Sequence, residues 1–206
     1  GTNVFYNSSS ISSRATVNGT LNANMLERIS TSIRAARGLP CFTKVEATTK
    51  VGTSGVEDAF LAALHPHLVP DLRLLPGFLT RKEYAAEQHE VGAWQDFRFF
   101  VTPTAEAYPN AGASSSTLRA TGATGVTAGA ADVYPIIVVG QNAAHAVALK
   151  GARSNGLGNV QTALLDKADK SDIFNKQIIT AAQWADLVLI TCQEWMAVGE
   201  VGASRL

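Results

Sequence analysis

The sequence predicts an α+β fold, with strands and helices interleaved and none of the regular spacing of βαβ units. Three observations carry this expectation. Residues 22–37, "NANMLERISTSIRAAR", place Leu26, Ile29, Ile33 and Ala36 on one face at helical period. Residues 133–140, "VYPIIVVG", are an apolar run of strand length ending in glycine. Residues 91–104, "VGAWQDFRFFVTPT", set Trp94, Phe97 and Phe99 against polar neighbours around a Gln95-Asp96 break, which reads as a hairpin or a bent strand.

The remaining elements follow in chain order. The opening "GTNVFYNSSSISSRATVNGT" is rich in Ser, Asn, Gly and Thr and reads as loop with one short strand. Asn22 or Asn24 caps the helix over 22–37, Gly38 and Pro40 stop it, and Glu27, Arg28, Arg34 and Arg37 face water. "CFTKVEATTK" alternates loosely, and "VGTSG" is a turn. "DAFLAAL" is long enough for a buried strand. Pro66 forces His65 towards extended geometry, and Pro70 suits the first turn of a short helix, "PDLRLL", with Asp71 near its positive end. "RKEYAAEQH" reads as a second short helix, and "QNAAHAVAL" as a third. Residues 110–131, small, Gly-rich and nearly uncharged, read as a mobile surface loop. The tail, "QIITAAQWADLVLITCQEWMAVGEVGAS", carries two β-like runs around "TCQE" and reads as a terminal hairpin beside Trp184 and Trp195.

Composition excludes several function classes. The 206 residues carry 17 Lys plus Arg against 17 Asp plus Glu, a formal net charge of zero, so the basic excess that neutralises phosphates is missing. Charged residues make up 17%, low against the usual quarter or so, and a neutral surface permits association between copies. Cys41 and Cys192 form no CxxC pair and no disulfide framework; a reducing compartment and inert, buried thiols are expected. No apolar run approaches the ~20 residues that span a bilayer, and no signal peptide opens the chain, which begins at Gly1.

Chemistry-bearing motifs are weak. His65 and His67, two apart in "LHPHL", are the best candidate for a metal site or a catalytic pair. Only His89, His145 and the two cysteines could join them, and none has ligand spacing. No GxSxG elbow, P-loop or dinucleotide fingerprint occurs. Asp166, Asp169 and Asp172 alternate with Lys167 and Lys170, as in a solvated turn. The motifs therefore assign no catalytic residue, no cofactor and no metal.

The order of the pieces is more informative. "FLAALHPHLVPDLRLLPGF", then "VGAWQDFRFFVTPTA", then "DVYPIIVVGQNAAHAVAL" resembles the major capsid proteins of tailed bacteriophages, in the podophage-type branch of the Hong Kong ninety-seven fold. In that family a strand ends in His-Pro or Asn-Pro and enters a helix with Asp-Leu, matched by Leu64, His65, Pro66, Asp71 and Leu72. A strand ending in Pro is matched by Phe100, Val101, Thr102 and Pro103; a Val-Tyr-Pro strand leading to Gly and a short helix, by Val133, Tyr134, Pro135, Gly140 and Ala143. Ile190, Gln193, Glu194 and Trp195 stand where the family closes with Leu-Asn-x-x-Trp, whereas of the family's Pro-Leu-x-Gln-Arg-Gly segment only Asp172 has a counterpart.

The resemblance implies a peripheral and an axial domain: residues 1–40 with the helix 22–37 in the peripheral part, 41–172 mainly axial, and 173–206 returning to the peripheral domain. It also implies a chain without the N-terminal arm, extended loop and spine helix of its relatives. The function implied is that of a structural subunit, not an enzyme, which assembles with itself into pentamers and hexamers of an icosahedral head enclosing double-stranded DNA. Scaffold, portal and decoration proteins are the further partners, DNA is touched without sequence preference, no membrane is involved, and assembly takes place in the bacterial host cytoplasm. His65 and His67 then flank the hinge between a core strand and its helix. The alternatives are an encapsulin-like shell, which encloses enzymes instead of DNA, and a hydrolase or metalloenzyme using His65 and His67.

Overall fold

The computed structural model describes residues 3–44, 55–84, 86–121, 129–147, 160–165, 179–184 and 187–205. The fold is mixed α+β, with one large mixed sheet and few helices. Its elements are β1 (Val4–Tyr6), α1 (Ala23–Ala35), β2 (Phe60–Leu64), α2 (Val69–Arg73), β3 (Leu79–Thr80), β4 (Glu90–Trp94), β5 (Phe97–Val101), β6 (Ser114–Ser115), β7 (Gly129–Ala130) and β8 (Val133–Val139), followed by β9 (Ala144–Val147), β10 (Val160–Leu165), β11 (Ile179–Trp184), β12 (Leu187–Ile190) and β13 (Met196–Gly202). They fall into two compact units, Gly1–Ala143 with Cys192–Leu206, and Ala144–Thr191. No helix among the described residues is long and apolar enough to cross a membrane.

The first unit is built on a seven-stranded sheet in the order β1-β13-β8-β2-β5-β4-β3. β1 runs parallel to β13 and β2 parallel to β5; the other neighbours are antiparallel. The expected hairpin over 91–104 is present as β4 and β5, with Gln95 in the left-handed region (φ 45°) between them. The runs expected to be buried strands become β2 and β8, central to the sheet and paired with Leu64 opposite Ile136.

α1 forms within the predicted span, with Leu26, Ile29 and Ile33 on its buried face, while Ala36 falls outside it as a partly exposed cap. The Asn22 side chain accepts the Met25 N–H at 2.9 Å, satisfying one of the four orphan donors of the first turn. Met25, Leu26, Ile29 and Ile33 are fully buried, each such side chain contributing roughly 1.5–3 kcal/mol. The residue that turns left-handed at the end is Arg37 (φ 63°), not Gly38. Gly38 follows it and donates to the Ile33 carbonyl at 2.9 Å, closing the helix in a Schellman arrangement. A Cβ at Gly38 would lie 2.5 Å from Ile33 Cγ2, so space selects glycine there. The helix lies over β13, where a Cβ on Gly199 would come within 3.0 Å of Met25 Cε. Beneath it the core runs through Phe60, Leu64, Phe97, Phe99 and Ile136, all fully buried.

Four expectations are corrected. Residues 81–84 of the expected helix "RKEYAAEQH" are turns: the Glu83 carboxylate accepts from Thr80 N–H and Oγ1, and Tyr84 is drawn inward to Glu90. "QNAAHAVAL" is not helical over 144–147, which form β9 and pair with β12 in the second unit; pairing overrides the helix preference of alanine. The tail is not a hairpin, because β12 pairs with β9 while β13 pairs with β8 and β1. Residues 110–121 are not a free loop: Leu118 is only 3% exposed, β6 pairs with β7, and Arg119 N–H donates to the Ala203 carbonyl at 2.8 Å.

The second unit contains β10 antiparallel to β11 and β9 antiparallel to β12. The Asp-Lys run of 166–172 lies outside the described residues.

Candidate functional site

His65 leaves β2 in extended geometry (φ −75°, ψ 148°), as the following proline requires. Its Nδ1 accepts the His67 N–H at 3.2 Å, capping the 3-10 turn Pro66–Leu68 that runs into α2. The two imidazoles meet edge to face with centroids 4.4 Å apart, and both lie against the ring of Tyr134, at 5.3 and 5.6 Å. His67 Nδ1 stands 2.9 Å from the Tyr134 hydroxyl. Because β8 is antiparallel to β2, Tyr134 near its start reaches the end of β2 where the histidines sit.

Electrostatics follow from the setting. Burial holds His65 below its ordinary pKa of 6.5, helped by His67 and Arg119. Burial does the same to His67, with Arg119 acting in the same direction and Asp132 against it. Burial raises the Tyr134 phenol, Asp132 adds to this, and Arg119 opposes it. The cluster thus favours neutral imidazoles and a protonated phenol near neutral pH.

Beside this cluster opens a cavity of about 250 Å³ lined by His67, Arg119, Thr121, Asp132, Tyr134 and Arg205. Asp132 is 4% exposed and fully engaged. Its Oδ1 accepts the N–H groups of Asn110 (2.9 Å) and Thr121 (3.1 Å), and its Oδ2 accepts the Thr121 hydroxyl at 2.8 Å.

The other candidates do not join this constellation as a metal site: among the described residues no group of three or more His, Cys, Asp or Glu is placed to hold an ion. His89 sits in a left-handed turn (φ 67°) before β4, and His145 lies on β9 in the second unit. Cys41 and Cys192 are free and partly exposed, a correction to the expected burial. Cys41 donates to the Val139 carbonyl at 3.1 Å, and burial raises its thiol pKa, which disfavours the nucleophilic thiolate.

A second polar cluster is structural in geometry. Arg98 meets Glu90 through two bonds, Nε to Oε1 at 2.8 Å and Nη2 to Oε2 at 2.7 Å, with both side chains almost fully buried. The Tyr84 hydroxyl and the Glu87 N–H supply further donors to the carboxylate, and Phe42 covers the guanidinium with its centroid 4.5 Å from Cζ.

Sequence reasoning found the two histidines but missed Arg119, Asp132 and Arg205. One signal was present: Arg119 is the single charged residue in the stretch 110–131. No protein-family profile matches this chain, and no curated protein matches it in sequence.

Proposed function

We propose that this chain is a shell subunit, a major capsid protein of the Hong Kong ninety-seven type. The supporting observation is the adjacency of the three segments that resemble that family. They are consecutive strands, β8-β2-β5, of one sheet. Their distinctive ends also meet: Thr102 N–H donates to the Leu64 carbonyl at 3.0 Å, and the His65 and His67 rings lie on Tyr134. Segments far apart in sequence therefore form one structural unit, as a shared fold requires. One departure is the strand β9 where relatives place a short helix.

In this reading the chain works by association and not by chemistry. Weak contacts between copies, each of modest energy, gain avidity when multiplied around pentamers and hexamers. Zero net charge is compatible with close packing of copies and with loose, non-specific contact to enclosed DNA. Val188, Leu189 and Ile190 on β12 are 56–59% exposed, apolar surface of the kind that subunit contacts cover. His65 and His67 serve the hinge, since the Nδ1 atom of each is used within the fold. Scaffold, portal and decoration proteins would be further partners in the virion.

Sedimentation velocity of the full-length protein tests the reading. Assemblies hundreds of times heavier than the 21.7 kDa chain are expected; a monomer at all concentrations and salt conditions contradicts it.

A further inference from the structure

We infer that the cavity between the end of β2, the start of β8 and the stretch 119–121 is a binding site for a phosphate group. This goes beyond the shell reading and does not depend on it.

The first ground is charge. Arg119 and Arg205 line the cavity together with the carboxylate of Asp132, and the charge open to a ligand is counted on Arg119 alone. Among the described residues no carboxylate lies within ion-pairing distance of the Arg119 guanidinium, so its charge is not spent on a salt bridge. The Asp132 oxygens are already occupied by three donors from Asn110 and Thr121. Asp132 therefore acts as a positioning residue. It also donates its own N–H to the Arg119 carbonyl at 2.8 Å, and together these bonds fix the backbone that presents Arg119.

The second ground is the distribution of donors. Arg119 comes from the stretch before β7, His67 from the turn before α2, Tyr134 from β8 and Arg205 from the segment after β13. His67 Nδ1 is engaged by Tyr134, and among the described residues Nε2 has no hydrogen-bond partner. Tyr134 and a neutral His67 share one of their two protons, so the pair offers a single donor, which with the guanidiniums of Arg119 and Arg205 suits a tetrahedral oxyanion with several acceptor oxygens. A planar carboxylate would be served by one arginine alone. The cavity, about 250 Å³, has room for a phosphate and the first atoms attached to it.

The test uses the full chain, titrated with inorganic phosphate, methyl phosphate and acetate at matched ionic strength. Binding is followed calorimetrically and through the imidazole resonances of His67. Saturable phosphate binding that shifts His67 is expected, with methyl phosphate similar and acetate about tenfold weaker. Arg119→Gln is expected to weaken phosphate binding about tenfold. Among the described residues its side chain makes no ion pair, only a hydrogen bond to Tyr134, so the fold should hold; Tyr134→Phe, which removes only a hydroxyl, is the second variant and is expected to weaken binding more modestly. The inference is overturned by acetate binding as tightly as phosphate, by phosphate binding that survives both substitutions unchanged, or by the absence of any saturable signal at His67. Retained methyl phosphate binding would place the natural ligand among phosphate esters. Its loss alongside intact inorganic phosphate binding would place it as the free ion.

Discussion

His67 Nδ1 lies 2.9 Å from the hydroxyl of Tyr134, tying the turn after β2 to the start of β8. Both histidines of this turn have folded-state pKa values below 6.5, chiefly through burial, with Arg119 lowering and Asp132 raising His67. The unfolded chain then binds more protons than the folded chain between the folded value and 6.5, so stability rises with pH across that window. It is complete above about pH 6.5 and lost progressively as the pH falls towards the folded values. Urea midpoints measured from pH 7.5 downwards should fall for the wild type, and less steeply for a His65→Gln/His67→Gln variant. Parallel curves for the two proteins would contradict this.

Tyr134→Phe removes the partner of His67 without changing shape. A loss of about 1 kcal/mol in unfolding free energy is expected. A loss several times larger would contradict this, even though the hydroxyl also meets Arg119.

The Arg98–Glu90 pair makes a sharper prediction. Both residues are 2–3% exposed. Arg98→Met leaves a buried carboxylate short of two bonds and should cost about 3–5 kcal/mol. Replacing both residues, Glu90→Leu with Arg98→Met, should cost less than the single change, because no charge is left unpaired. Equilibrium urea unfolding of the single and double variants checks the order.

Leu118 tests whether residues 110–121 are held in the fold. It is 3% exposed and lies over Gly202, where a Cβ would come within 2.7 Å of its Cδ1. Leu118→Ala should lower unfolding free energy by about 2–4 kcal/mol. A mobile loop would register no change in the melting temperature.

The exposed strand β12 makes the prediction specific to assembly. Leu189 is 58% exposed, so Leu189→Asp should leave thermal melting of the unassembled chain nearly unchanged. If β12 contacts a neighbouring copy, the same change should block particle formation. Normal assembly of the variant would remove β12 from the subunit interface.

Local signals were legible and long-range ones were not. α1 could be read because Asn22, the buried period and the stop after Arg37 act within one segment. The β4–β5 hairpin was equally local, with its break at Gln95. Ala144 and Ala146 favour helix by propensity, and only the partner strand β12, more than 40 residues on, makes them a strand. The same holds for the site. His65 and His67 are neighbours in sequence and were visible as a pair. Tyr134, Arg119 and Arg205 join them only because β8 runs antiparallel to β2 and Arg119 N–H is bound to Ala203.

Electron microscopy of the full-length protein, or of the particle that contains this chain, tests the central proposal most directly. Closed icosahedral shells with pentameric and hexameric capsomers are the predicted result. Small, uniform particles of one or a few chains, with no shells under any assembly condition, would contradict it.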